Sequence, residues 1–349
     1  MHEAGEQAAG EHEAAEQAAG QQETGERADV QRPALRLTAN LFAVAFGVVG
    51  LAQAWSAVAL LAGASDWPAD AAWIIAAVIW LVTVVGYLAN VAAQRRWKTE
   101  LSDPTFGPFT ALIVIVPMLL GARLAQQARG AGEVVFWCSA VLVVLVGGWM
   151  TGDWIADDGH LQRWHPGYYL PTAAGGLLAG GASATLGFTT LSHVLFGVGI
   201  TSFVLLGPII QLRLFNAPSL PAPLLPTIAI DVAPPVVAGN AWFALNGGKV
   251  DTPAAILAGL AVLLLVVQVR LIPLYRRAPF GIGFWAFSFP FAAAVTDGVH
   301  WLAAEHVRDG AALGYALVGV LTAGIALLAW RTAIGLVNGT FLPRMAAAR

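Results

Sequence analysis

Two carboxylates, Asp231 and Asp297, sit inside otherwise apolar stretches, and a histidine, His300, follows the second by one helical turn. A carboxylate removed from water is costly unless it is paired or protonated, which leaves two chemistries open. In one, each acid meets an arginine such as Arg213, Arg270 or Arg331 and ties helices together. In the other, it takes up a proton with a substrate, and His300 shares the exchange. A second group of candidates is Asp153, Asp157, Asp158, His160 and His165, close together in one polar segment. A membrane-embedded enzyme needs such groups to converge near one face of the bilayer. Their spacing matches no HExxH metal helix, however, and no glycine-rich phosphate loop followed by lysine occurs in the chain. The segment therefore reads as a wet connection, with no catalytic residue, cofactor or metal site expected. His2 and His12 read as solvated side chains rather than metal ligands.

The elements that position these residues are strongly apolar. Of 349 residues, 58% are hydrophobic and 11% are charged, whereas a soluble domain carries charge on roughly a quarter of its residues. An ordinary soluble enzyme is excluded, and a net charge of −3 gives no basic footprint for nucleic acid. Cys138 is the single cysteine and reads as a small buried hydrophobe. Ten apolar runs, each with at most one charged residue, fit the length of a bilayer crossing: 41–63, 71–93, 106–124, 134–152, 170–188, 192–214, 224–245, 253–274, 280–303 and 311–335. The fifth and sixth come from 45 residues, Tyr168 to Leu212, without a single Asp, Glu, Lys or Arg. That is too long for one crossing and right for two, with a turn near Gly187 to Ser192. Lipid offers open backbone groups no partner, so the spans are predicted to be helices and the fold class an all-α polytopic membrane protein.

Three regions follow: an acidic tail at 1–37, a ten-helix domain at 38–340 and a short tail at 341–349. The first tail nearly repeats EAGEQAAGE (3–11) as EAAEQAAGQ (13–21) and is expected to be disordered, having no apolar core to bury. Its acidic start does not fit a secretory signal. Cytoplasmic loops retain Lys and Arg. With the amino terminus inside, twelve basic residues (Arg27, Arg32, Arg36, Arg95, Arg96, Lys98, Arg163, Arg213, Arg276, Arg277, Arg344, Arg349) face the cytoplasm, and three (Arg129, Lys249, Arg308) face outward. Both termini are thus predicted to be cytoplasmic, in the inner membrane of the cell. Arg123, Arg270 and Arg331 fall near span ends, within reach of the interface.

Proline placement separates the spans into two classes. Pro117, Pro171, Pro234 with Pro235, and Pro290 all fall in odd-numbered spans, while the first span has Gly47 and Gly50; Pro208 alone is interior to an even span. A proline removes a backbone donor and kinks its helix. The exposed carbonyls are tolerated at membrane depth only against protein or a water-filled cavity. Kinked odd helices are therefore expected around a central pore, with straighter even helices outside.

Several segments resemble the tellurite-resistance and four-carbon dicarboxylate transporter family, which includes the plant slow anion channels. They are LPTAAGGLLAGGASATLGF (170–188), DVAPPVVAGNAWFALNGG (231–248), VRLIPLY (269–275) and PFGIGFWAFSF (279–289). Weaker similarity runs through 40–56, 103–120 and 196–214. The resemblance implies five helical hairpins around a pore, a trimer of independently conducting subunits, and Phe289 as the side chain blocking the pore midway. It implies small inorganic or dicarboxylate anions as the transported species, through an anion channel or facilitator, with a proton-coupled dicarboxylate or tellurite carrier as the alternative. One departure is Gly207 before Pro208, where relatives can have an acidic residue.

The loop charges generate a labelling test. In a Cys138→Ala background, cysteines introduced beside Arg96 and Arg276 should resist an impermeant thiol reagent applied to intact cells, whereas one beside Lys249 should react. The reverse pattern would invert the topology.

Overall fold

The computed structural model describes residues 37–95, 100–156 and 161–342. The acidic tail, Arg96, Lys98, Asp157, Asp158, His160 and the residues from 343 onward lie outside the described residues. Among those described, the chain is helical throughout, without a strand, and makes ten spans. The even spans are single α-helices: α2 (Trp67–Ala93), α4 (Arg129–Ala156), α6 (Thr189–Asn216), α8 (Thr252–Tyr275) and α10 (Gly310–Val337). The odd ones are composite. Shorter α-helices, α1 (Phe42–Ala62), α3 (Leu112–Leu124), α5 (Gly175–Thr185), α7 (Ala233–Asn246) and α9 (Ser288–Ala304), each follow a tighter or wider leader. The leaders are 3₁₀ turns at Ala39–Leu41, Gly107–Ala111, Ala222–Val232 and Ile282–Phe287, while α5 follows a 3₁₀ turn at Pro166–Tyr169 and a π turn at Leu170–Ala174.

All five leaders therefore lie on the side of the membrane where the described chain begins and ends. The chemistry of the sequence explains them. Segments such as HPGYYLP (165–171) and APLLPTIAIDVAPP (222–235) lack the backbone donors that a continuous α-helix needs. Pro234, Pro235 and Pro290 fall in the first turn of their α-segments. Pro117 is instead interior to α3. The carbonyl it deprives of an α-helical partner is that of Ile113, which accepts a hydrogen bond from the Trp80 indole Nε1–H of α2 at 3.1 Å.

Successive spans pack as five antiparallel hairpins, and the odd members touch in a closed ring, α1 to α3 to α5 to α7 to α9 and back to α1. The most apolar stretches of α1, α3, α7 and α9 with their leaders are 56 to 78% buried, against 11 to 33% for the even spans. Even helices therefore face lipid and odd helices face one another. The turn expected between the fifth and sixth spans is present, with Gly187 at φ +85°. Close approach in the ring depends on missing side chains. A Cβ on Gly47 would stand 2.0 Å from Ser288 Oγ, and one on Gly50 2.8 Å from Ala292 Cβ. Helix α1 runs unbroken through both glycines, so they seat α9 against α1 and are not kinks. The last hairpin is fastened by two indoles: Trp55 donates to Thr322 Oγ1 at 3.1 Å and Trp285 to Thr332 Oγ1 at 3.0 Å.

His165 anchors the connection between α4 and α5. It is fully buried, its Nδ1 accepts from Gly167 N–H at 3.1 Å, and its Nε2 lies 3.2 Å from the Thr105 carbonyl. That pairing requires the neutral Nε2–H tautomer. Burial is the main cause holding its pKa down at about 4.

Two tests follow from this packing. Gly47→Val should lower the unfolding temperature in detergent, at a cost of about 1–3 kcal/mol for overpacking. Gly259→Val, where a Cβ meets nothing within 4 Å, should not. For His165, the unfolded chain binds a proton more readily than the folded one, so stability is full above pH ~6.5 and declines toward pH ~4, by about 3 kcal/mol in all. His165→Asn should unfold earlier at neutral pH and show a flatter profile over that window.

Candidate functional site

The ring encloses two cavities. The larger, about 760 Å³, runs from Phe289 and Val237 to Asp66, Gln126, Gly248 and His306 at the carboxyl ends of the odd helices. On the leader side lies a small apolar space of about 30 Å³, roughly the share of one water molecule, bounded by residues including Phe46, Leu112, Leu170, Pro234 and Pro290. Phe289 and Val237 line both. Phe289 and Val237 thus stand where the space within the ring is interrupted.

Several contacts fix the interruption. The Phe289 ring is 3% exposed and stacks on Phe46 with centroids 3.6 Å apart and planes inclined by 12°. Its Cδ2 lies 3.0 Å from where a Cβ on Gly50 would stand, so α1 supplies both the stacking partner and the bare backbone behind the ring. Pro290, the next residue, occupies the first turn of α9 beside it. Phe284 and Phe287 line neither cavity. Phe287 packs edge-on to Tyr275, with centroids 4.9 Å apart, and Phe284 neighbours Phe280.

The structure divides the other predicted residues. Pro234 and Pro290 line the small cavity, whereas Gly47, Gly50, Pro117 and Pro171 line neither; the two glycines are packing contacts and the two prolines shape their helices from behind. The ion pairs expected of Asp231 and Asp297 are not formed among the described residues. Asp231, in the leader of α7, accepts from Gln211 Nε2 at 3.1 Å. Asp297 packs against α7, its Oδ1 2.5 Å from where a Cβ on Gly239 would stand and without a hydrogen-bond partner. Two of the three arginines are engaged elsewhere: Arg213 donates to the Gln162 and Pro218 carbonyls, and Arg331 lies over the Phe280 ring. His300 lines the large cavity, edge-on to Phe243. Of the polar segment after α4, His165 is committed to its two backbone partners.

The wall of the large cavity is mixed. Ser56 Oγ, Asn240 Oδ1 and His300 Nδ1 are buried without a protein partner, which suits a water-filled space. Arg123, at the end of α3, binds Asp66 and Asp70 of α2 at 2.7 and 2.5 Å. Sequence reasoning passed over Phe46 and this cluster. Phe46 precedes Gly47 and Gly50 on one helix, and that aromatic beside a small-residue face was the available signal. Arg123 and its acids are 53 and 57 residues apart, with no local pattern joining them.

Phe46 and Phe289 thus form an uncharged constriction between a cavity of mixed wall and an apolar one. Comparison with known proteins agrees with this architecture. Residues 36–333 match the SLAC1 family, described as voltage-dependent anion channel. The tellurite resistance protein TehA homolog of Haemophilus influenzae is 27% identical over 307 residues, 87% of this chain and 92% of that protein. The S-type anion channel SLAH1 of Arabidopsis thaliana is 25% identical over 205 residues, 58% of this chain and 52% of that protein. With the family match running from before α1 into α10, this multi-pass membrane protein belongs to the voltage-dependent anion channel family.

Proposed function

We propose that this protein conducts small anions along the axis of its helical ring and that Phe289 is the gate. The observation that carries the reading is that Phe289 lines both cavities while stacked on Phe46. An apolar ring in a path a few ångströms wide excludes a hydrated ion and resists wetting, and weak interaction elsewhere lets the ion leave. The family description and the names of both relatives support an anion as cargo. Apolar walls around the constriction favour anions that shed water cheaply. In our reading the termini are cytoplasmic, in the inner membrane. Arg270 and Arg331, near the ends of α8 and α10, add positive charge on that side. The subunits assemble as a trimer, each with its own path, and residues 1–37 form a soluble tail.

A second reading, a proton-coupled carrier of dicarboxylates or tellurite, draws on the buried, unpartnered Asp297 Oδ1 and His300 Nδ1 of α9 and on the name of the Haemophilus relative. One experiment separates the two. In reconstituted liposomes or planar bilayers, Phe289→Ala should raise anion current about tenfold or more, the equivalent of removing a barrier of roughly 1.4 kcal/mol. The current should reverse at the anion's Nernst potential. Phe284→Ala and Phe287→Ala should leave it unchanged. Equal currents from all three variants would remove Phe289 as the gate, and uptake that requires a proton gradient would establish the carrier.

A further inference from the structure

The large cavity has a charged mouth that the gate does not explain. Among the described residues lining it, Arg123 is the sole lysine or arginine and Asp66 the sole carboxylate. Both acids bind the same nitrogen of Arg123: Nη2 donates to Asp66 Oδ2 at 2.7 Å and to Asp70 Oδ1 at 2.5 Å, while Nη1 donates to Gln126 Oε1 at 2.5 Å. Arg123 Nε and Asp66 Oδ1 remain buried without a protein partner. The arginine side chain is 17% exposed and the acids 32 and 43%, so this is a partly buried cluster on the cavity wall, screened less than a surface pair. Two carboxylates against one guanidinium leave this cluster with a net negative charge. For a path that carries anions, that sign is adverse.

Resting on the conduction reading above, we propose that Asp66 and Asp70 clamp Arg123 and thereby hold down anion capture at the wide mouth. Released from the clamp, Arg123 is an anion-attracting site with donors to spare. A guanidinium facing a water-filled cleft with low-dielectric walls concentrates anions through a local potential of several kT at low ionic strength. A purely structural cluster, joining the start of α2 to the end of α3, would affect stability and leave conduction unaltered.

The test uses the full chain in planar bilayers in the Phe289→Ala background, so that the gate does not limit current. Chloride is the probe, at about 20 mM and about 1 M, where the Debye length shrinks from roughly 20 Å to 3 Å. Asp66→Asn with Asp70→Asn should raise conductance about 3- to 10-fold at low salt and less than about 2-fold at high salt. Adding Arg123→Gln should abolish the gain. Unchanged low-salt conductance in a variant that keeps its melting temperature would overturn the clamp, as would a gain that survives Arg123→Gln. If the double variant does not assemble, Asp70→Asn alone, at the more exposed acid, carries the same comparison with a smaller rise. Absence of anion current in Phe289→Ala itself would overturn the conduction reading; current without an effect of the aspartates overturns only the clamp.

Discussion

Every backbone N–H and C=O in the hydrocarbon must find a partner within the protein, since lipid provides none. Much of this molecule follows from that constraint. Straight α-helices satisfy it alone, so the even spans are left to face lipid. The leaders of the odd spans do not form a regular α-helical ladder, and in those of α3, α5 and α7 proline disfavours one. They are stable only where other protein surrounds them. A closed ring of odd helices inside a sheath of even ones meets the requirement, and the Trp80 hydrogen bond to the Ile113 carbonyl shows an outer helix satisfying a group that a proline set free.

The ring brings a second constraint, because five helices converging on an axis leave little room for side chains between neighbours. Gly47 and Gly50 let α9 lie against α1, and the same contact presses the Phe289 ring onto Phe46. Packing and closure of the path are thus one interaction. The polar groups of the wide cavity lie beyond it, and the space on the other side is lined by aliphatic, aromatic and proline carbons. The lining changes from a mixed wall to an apolar one within the thickness of one aromatic ring.

Much of this was legible in the sequence, because lipid makes hydropathy and proline placement unusually informative. The ten spans, the turn at Gly187 and the separation of odd from even helices could all be read from residue types in order. Phe289 came to notice through family resemblance, since nothing in FWAFSFP by itself distinguishes it from Phe284 or Phe287. What stayed hidden depends on register between distant helices. Phe46 and Phe289 meet though 243 residues apart in sequence, and Arg123 and Asp66 though 57 apart. The arginines assigned to Asp231 and Asp297 were plausible by composition, yet the fold used two of the three on loop carbonyls and an aromatic face. Gly47 and Gly50 were grouped with the pore-lining kinks, whereas a continuous helix runs through both and uses their bare backbone to seat α9.

The one-sided placement of the leaders also bears on reach and girth. A 3₁₀ segment climbs about 2.0 Å per residue, against 1.5 Å for an α-helix. The 11 residues of Ala222–Val232 therefore extend about 22 Å where an α-helix would cover about 16 Å. The same winding is slimmer, with three residues to a turn. Four of the five odd spans run to fewer residues than the even helix they pair with, the exception being Ala222–Asn246 with 25 against 24, and four of the five leaders, on the side where the axial space falls to about 30 Å³, are wound wholly as 3₁₀ turns. The narrow space is thus bordered in part by tightly wound backbone, and the wide one chiefly by the α-helical parts of the same spans.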